Sequence, residues 1–146
     1  MLRIAAAVVL DEAGRMLVVR KAGTDAFMQP GGKLERDESG AECLARELDE
    51  ELALAVSIAE LRPLGRFEAP AANEAGWVVD AEVFRWAGFE TRPAGAPQPA
   101  RRIEVRAEIA EARWCSRAEL LALAADGVLA PLTRDNLDAF LGSSIR

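Results

Sequence analysis

The chain has no histidine and no tyrosine in its 146 residues. The first absence removes imidazole from any catalytic or metal-binding scheme. Cysteine is nearly absent too: Cys43 and Cys115 stand far apart and match no zinc or redox spacing. Cys43 falls inside a helical pattern and reads as a small buried filler rather than a reactive thiol. Aromatic residues make up only 5% of a chain that is 51% apolar, and much of the apolar share is alanine. The expected core is therefore built of small side chains. Basic residues number 18 against 24 acidic ones, a net charge of −6. That balance excludes electrostatic attraction to duplex nucleic acid. It would also repel a polyphosphate, unless metal ions neutralise the site locally. The apolar run at 4–10 follows a basic residue but ends at Asp11-Glu12. It is too short to span a membrane and lacks a cleavage region, so it reads as a buried strand of a cytoplasmic protein. The length suits one domain, 1–146, with a core of its own.

What is present concentrates in residues 30–54, PGGKLERDESGAECLARELDEELAL. A Pro-Gly-Gly turn leads through a charged connector into a helix expected from about Glu38 to Leu52. At about 100° per residue, Ala41, Leu44, Ala45, Leu48 and Leu52 form one apolar stripe. Glu47, Glu50 and Glu51 fall in a neighbouring arc, with Glu47 and Glu51 one turn apart. Like charges at that spacing weaken a helix by a few tenths of a kcal/mol per pair, roughly. Three glutamates on a helix are most often plain solvated surface. Here the glycine pair lets a backbone carbonyl turn inward, Glu38 suits the helix start, and Arg46 can pair with Glu50 four residues on. Carboxylates with a carbonyl make a hard oxygen set, suited to Mg²⁺ or Mn²⁺.

Gly32-x5-Glu38-x7-Arg46-Glu47-Leu48-x-Glu50-Glu51-x-Ala53-Leu54 resembles the Nudix box, the signature of the Nudix hydrolases. One position departs: Ala53 stands where that family usually has glycine. Glycine past a helix end supplies a left-handed cap, and alanine there costs on the order of 1 kcal/mol. The resemblance implies an α/β/α sandwich with a mixed central sheet, where periodicity alone gives only α and β in one layered domain. It implies hydrolysis of a phosphoanhydride in a nucleoside diphosphate linked to another group. It implies Mg²⁺, with Mn²⁺ as a substitute, held by Glu47, Glu50, Glu51 and the Gly32 carbonyl, with Glu38 and Arg46 in support. The general base is either Glu47 or a glutamate outside the box, Glu108 or Glu111. A binding module without turnover is the alternative, and intact Glu47, Glu50 and Glu51 argue against it. Diphosphate isomerisation would want histidine ligands, and there are none. A homodimer is left open by the resemblance.

Around this stretch, residues 4–10 and 16–20 read as a hairpin of the central sheet, joined by a turn ending at Gly14. Arg20 and Lys21 at its end are edge charges or phosphate contacts, and Lys33 lies beside the glycine pair. Extended structure is expected at 54–58 and 64–67, a turn over 68–76 and a strand over 77–86. A loop follows over 91–102, with Arg101 and Arg102 at its end, then a strand over 103–115. Ser116-x-x-Glu119 is a capping box opening a helix to about Ala125, and a last helix is expected over 133–141. Trp77, Trp86, Phe27, Phe84 and Phe89 are each read as core packing before base stacking, and Pro70 as a turn residue.

Overall fold

Strand β1 (Leu2–Val9) explains its own unbroken apolar run, because both its faces are covered. Ala5, Ala7 and Val9 join one buried cluster, while Ala6, Val8 and Leu10 join the other. The alternation is that of any strand, with successive side chains on opposite faces. In this computed structural model the described residues are 1–90 and 102–142. Arg101 and all of the expected 91–102 loop but Arg102 lie outside them.

Strand β4 (Gly31–Lys33) pairs antiparallel with β1, β6 (Val78–Trp86) pairs parallel with its other edge, and β5 (Arg62–Pro70) closes the order β4-β1-β6-β5. A second sheet has the order β3-β2-β7, from β2 (Met16–Lys21), β3 (Phe27–Met28) and β7 (Ile109–Cys115). Helix α1 (Gly40–Leu52) covers one side, burying Leu44, Leu48 and Leu52 against Ala5, Ala7, Leu17 and Val19. On the other side, buried residues of α2 (Arg117–Ala125), α3 (Pro131–Arg134) and α4 (Leu137–Leu141) join Ala6, Val8 and Val18. This is the expected sandwich with a mixed sheet. Each fully buried leucine of α1 contributes roughly 1.5–3 kcal/mol relative to exposure. Among the described residues no helix is long and apolar enough to cross a membrane.

Several local expectations need correction, each for a traceable reason. Residues 4–10 and 16–20 are not paired as a hairpin of one sheet. Both edges of β1 are taken by β4 and β6, so only the bridge Leu10↔Met16 forms before the strands part. Asp11 sets that turn, its Oδ1 accepting from the N–H groups of Ala13 and Arg15. Residues 54–58 are not a strand; buried Leu54 leads to a 3₁₀ turn, Ile58–Glu60. Strand β5 runs on to Pro70, which shortens the expected turn at 68–76. Only Ile109–Cys115 of residues 103–115 is a strand. The preceding backbone turns to the end of α1 instead: Glu104 N–H donates to Leu52 O and Arg106 N–H to Glu51 O. It thereby satisfies carbonyls that a helix end leaves open. The last helix is two short ones, with Asn136 donating from Nδ2 to Leu132 O at the break.

Helix α1 also starts later than expected. Ser39 is its N-cap, in a reciprocal capping box with Glu42, and Glu38 lies ahead of it. At the other end Ala53 is left-handed, φ 58 and ψ 33. Its N–H donates to Asp49 O, and Leu54 N–H reaches back to Leu48 O. The geometry that glycine usually serves is kept and alanine bears the strain. Ala53→Gly should stabilise the protein by about 0.5–1 kcal/mol. The check is a urea titration, with a raised midpoint and an unchanged slope.

Candidate active site

Arg46 organises the acidic face. Its Nε and Nη2 donate to Glu38 Oε2 and Oε1 at 2.7 and 2.9 Å, a two-pronged pair. Nη1 donates to Glu47 Oε1 at 2.8 Å and to Glu50 Oε2 at 3.3 Å. The expected Arg46–Glu50 contact therefore exists, but it is the longest of the four. Hydrogen bonds from Arg46 and from the Glu35 N–H hold the Glu38 carboxyl down at about 2. Arg46 fixes the connector to the helix, and it leans Glu47 and Glu50 towards itself.

Glu51 is different. It is 4% exposed, and among the described residues its carboxylate accepts one hydrogen bond, from the Gly31 N–H at 3.4 Å. Burial first, then neighbouring Glu47, pushes its carboxyl up to about 8. The half-buried Glu47 is also raised by burial, against the pull of Arg46. The glycines make this approach possible. A Cβ on Gly32 would lie 2.4 Å from Glu47 Cδ, and one on Gly31 would lie 2.0 Å from Ala5 O, at a φ of 152°. Gly32 therefore gives Glu47 its place, and Gly31 lets β4 lie against β1.

Glu47, Glu51 and Gly32 line a cavity of about 470 Å³. Glu50 does not line it; its side chain is 54% exposed at the solvent edge of the face. Among the described residues no three carboxylates or thiols converge closely enough to hold a metal ion in this arrangement. The donor set nevertheless fits one. A buried carboxylate with a single long hydrogen bond stands beside a second carboxylate whose energy burial has raised. Both would be relieved by a hard cation.

The outer candidates divide. Lys33 lines the cavity and its Nζ pairs with Glu74 at 3.2 Å. Arg20 does not line it: its guanidinium donates to Glu111 Oε1 and to Thr24 O, both at 2.9 Å. Lys21 lines the cavity instead, paired with Glu108 at 3.4 Å, and Glu108 lines it as well. Glu111 is engaged by Arg20 and Arg113. Arg102 is exposed. None of the lining residues is aromatic. Phe27, Phe84 and Trp86 are core, and Phe89 packs edge-on between Trp86 and Trp114. Trp77 is exposed, while Pro70 does line the cavity. Gln29, Glu74 and Thr133 line it too, and were not singled out from sequence; isolated polar residues carry no spacing signal.

The fold is a layered α/β/α domain in which a glycine turn and the helix carboxylates Glu47 and Glu51 line one cleft. Residues 1–135 match the family model of the NUDIX domain, and the chain belongs to that family. A MutT-like protein of Streptomyces ambofaciens is 43% identical over 56 residues, covering 38% of this chain and 36% of its own. The chain thus matches only about a third of that relative's length. The crystal structure of a MutT protein from Methanosarcina mazei Go1 superposes with a TM-score of 0.70 at 22% identity, covering 95% of this chain and 91% of that one. A bifunctional NMN adenylyltransferase/ADP ribose pyrophosphatase from Francisella tularensis, complexed with AMP and a Mn ion, has a TM-score of 0.64 at 17% identity, covering 93% and 39%.

Burying Glu51 should weaken the metal-free protein. The folded carboxyl is raised above the ordinary 4.5, so the folded chain holds a proton that the unfolded chain has released. Stability therefore falls as pH rises from 4.5 towards 8. In chelator at pH 8, Glu51→Gln should raise the unfolding free energy by on the order of 2 kcal/mol and flatten that slope. Denaturant titrations across the range provide the check.

Proposed function

We propose that the protein hydrolyses a phosphoanhydride bond in a nucleoside diphosphate linked to another group, using Mg²⁺ or, in its place, Mn²⁺. The observation that carries this reading is the cavity whose polar wall brings Glu47 and Glu51 to Lys21 and Lys33. Glu47, Glu50, Glu51 and the Gly32 carbonyl are the groups that would hold the cation. When bound, such an ion neutralises a diphosphate and makes water a better nucleophile. Glu50 is exposed and would have to turn towards Glu47 to join, whereas Glu51 is fixed by burial.

The chain's own groups take the remaining roles. Lys33 and Lys21 neutralise phosphate oxygens, and Arg46 orients Glu47. Arg20, set back against Glu111, supports the Lys21 end of the cavity from behind the strand. Glu108, on the cavity wall, receives the proton of the attacking water as the new P–O bond forms and the anhydride P–O bond breaks. Glu47 is half-buried and already holds Arg46, which leaves it less free for that exchange. The AMP and Mn ion of the Francisella tularensis protein support the choice of nucleotide and metal. Two free, buried thiols support a reducing cytoplasm as the place of action.

Purified protein should release phosphate or pyrophosphate from a panel of nucleotide derivatives in Mg²⁺ or Mn²⁺. Glu50→Gln with Glu51→Gln should abolish that release, and activity surviving both changes would reject the site. Glu108→Gln should lower kcat by about 10²–10⁴-fold with little change in KM. A loss that follows Glu47→Gln instead, with Glu108→Gln active, would move the base to Glu47. Tight nucleotide binding without turnover would replace the enzyme by a binding module.

A further inference from the structure

Three polar or charged side chains are buried among the described residues: Glu51, Gln29 and Thr133. All three line the same cavity. Glu51 is accounted for by the proposed hydrolysis, on which the present inference rests. The other two are not. Burying a carboxamide is costly unless its hydrogen bonds are met, and Gln29 is only 5% exposed.

The orientation of that carboxamide follows from its partners. Ala7 O can only accept, so Nε2 must face it, at 3.2 Å. Oε1 then faces Thr133 Oγ1 at 2.9 Å, and the hydroxyl donates to it. Thr133 is fully buried, so this bond fixes the amide plane from below. Nε2 carries a second proton, and no acceptor for it exists among the described residues. A buried, oriented N–H on the wall of a cavity is poised for a ligand acceptor. Ile4, Met28, Val79 and Leu132 supply the aliphatic part of that wall, and no aromatic residue lines it among the described residues. Aliphatic contact separates similar planar groups poorly, whereas a missed buried hydrogen bond separates them well.

We infer that Gln29 is a specificity-determining residue, whose carboxamide N–H donates to a carbonyl oxygen on the base of the substrate nucleotide, with Thr133 positioning it. Among the common bases adenine alone has no carbonyl, so the site selects against adenine nucleotides. The sharpest comparison is ITP against ATP, which differ by a carbonyl in place of an amine on the same ring.

The full chain, in Mg²⁺ and in Mn²⁺, should turn over ITP, GTP, UTP and CTP with a kcat/KM at least tenfold above ATP, the difference lying in KM. Gln29→Leu should shrink the ITP-to-ATP ratio at least tenfold, Gln29→Glu should do the same, and Thr133→Val should shrink it part of the way. Equal turnover of ITP and ATP by the wild-type chain overturns the inference. So does a Gln29→Leu protein that loses activity on every nucleotide by the same factor, the mark of a pin between β1 and α3. Should Gln29→Leu fail to fold, the wild-type ITP-to-ATP ratio decides alone. Calorimetry with the same pair reads the ratio as Kd whether or not turnover occurs. Hydrolysis can thus fail while a tenfold preference for ITP stands, and equal or absent binding of both overturns the preference itself.

Discussion

One guanidinium faces more carboxylates than it can neutralise, and the rest of the site follows from that shortage. Arg46 reaches Glu38, Glu47 and Glu50 by hydrogen bonds and lies 3.6 Å from Glu35. Glu51, one turn beyond Glu47, receives no cation within bonding distance among the described residues. Exposed carboxylates lose little by standing unpaired, because water screens them. A buried one loses much more, and it answers by holding its proton. Glu38 and Glu51 show the two outcomes on one helix and its connector: one carboxyl held low by a forked arginine, the other driven up by burial. A divalent ion would convert the second outcome into the first.

Much of the fold could be read where the interactions were local. The apolar stripe of α1 was visible in the spacing of Leu44, Leu48 and Leu52, and the strand at 78–86 in its apolar residues. The capping box of α2 showed as Ser116-x-x-Glu119, and the equally plain Ser39-x-x-Glu42 would have placed the start of α1. What could not be read depends on distant partners. Residues 103–108 have a strand's composition, yet the N–H groups of Glu104 and Arg106 go to the carbonyls ending α1. The 4–10 and 16–20 segments look like a hairpin until β4 and β6 claim both edges of β1.

The site divides in the same way. Gly32, Glu47 and Glu51 share a cavity because they share a contiguous turn and helix, whose geometry is carried by the chain itself. Glu50 has the same sequence credentials but faces solvent, a difference of 100° around the helix axis that spacing alone leaves undecided. Arg20 and Lys21 show the strand version of the problem. Successive side chains point to opposite faces, and a register shift falls between these two residues. The cavity received Lys21 and the cross-strand Glu111 received Arg20. Ala53 departs from its family's habit but keeps the left-handed backbone, which places the cost in local strain.

Lys21 and Lys33 both hold carboxylates in this structure, Glu108 and Glu74 respectively. Both pairs are partly solvent-exposed, so each contributes only about 0–1 kcal/mol and opens at little cost. A phosphate carries more charge than a carboxylate and offers more acceptor oxygens, so it would displace either partner readily. On the hydrolase reading, Lys21 turning to phosphate would leave Glu108 on the cavity wall without its lysine. The same net negative charge that repels a polyphosphate at a distance would thus be rearranged at close range, each anion released by one lysine being available for another task.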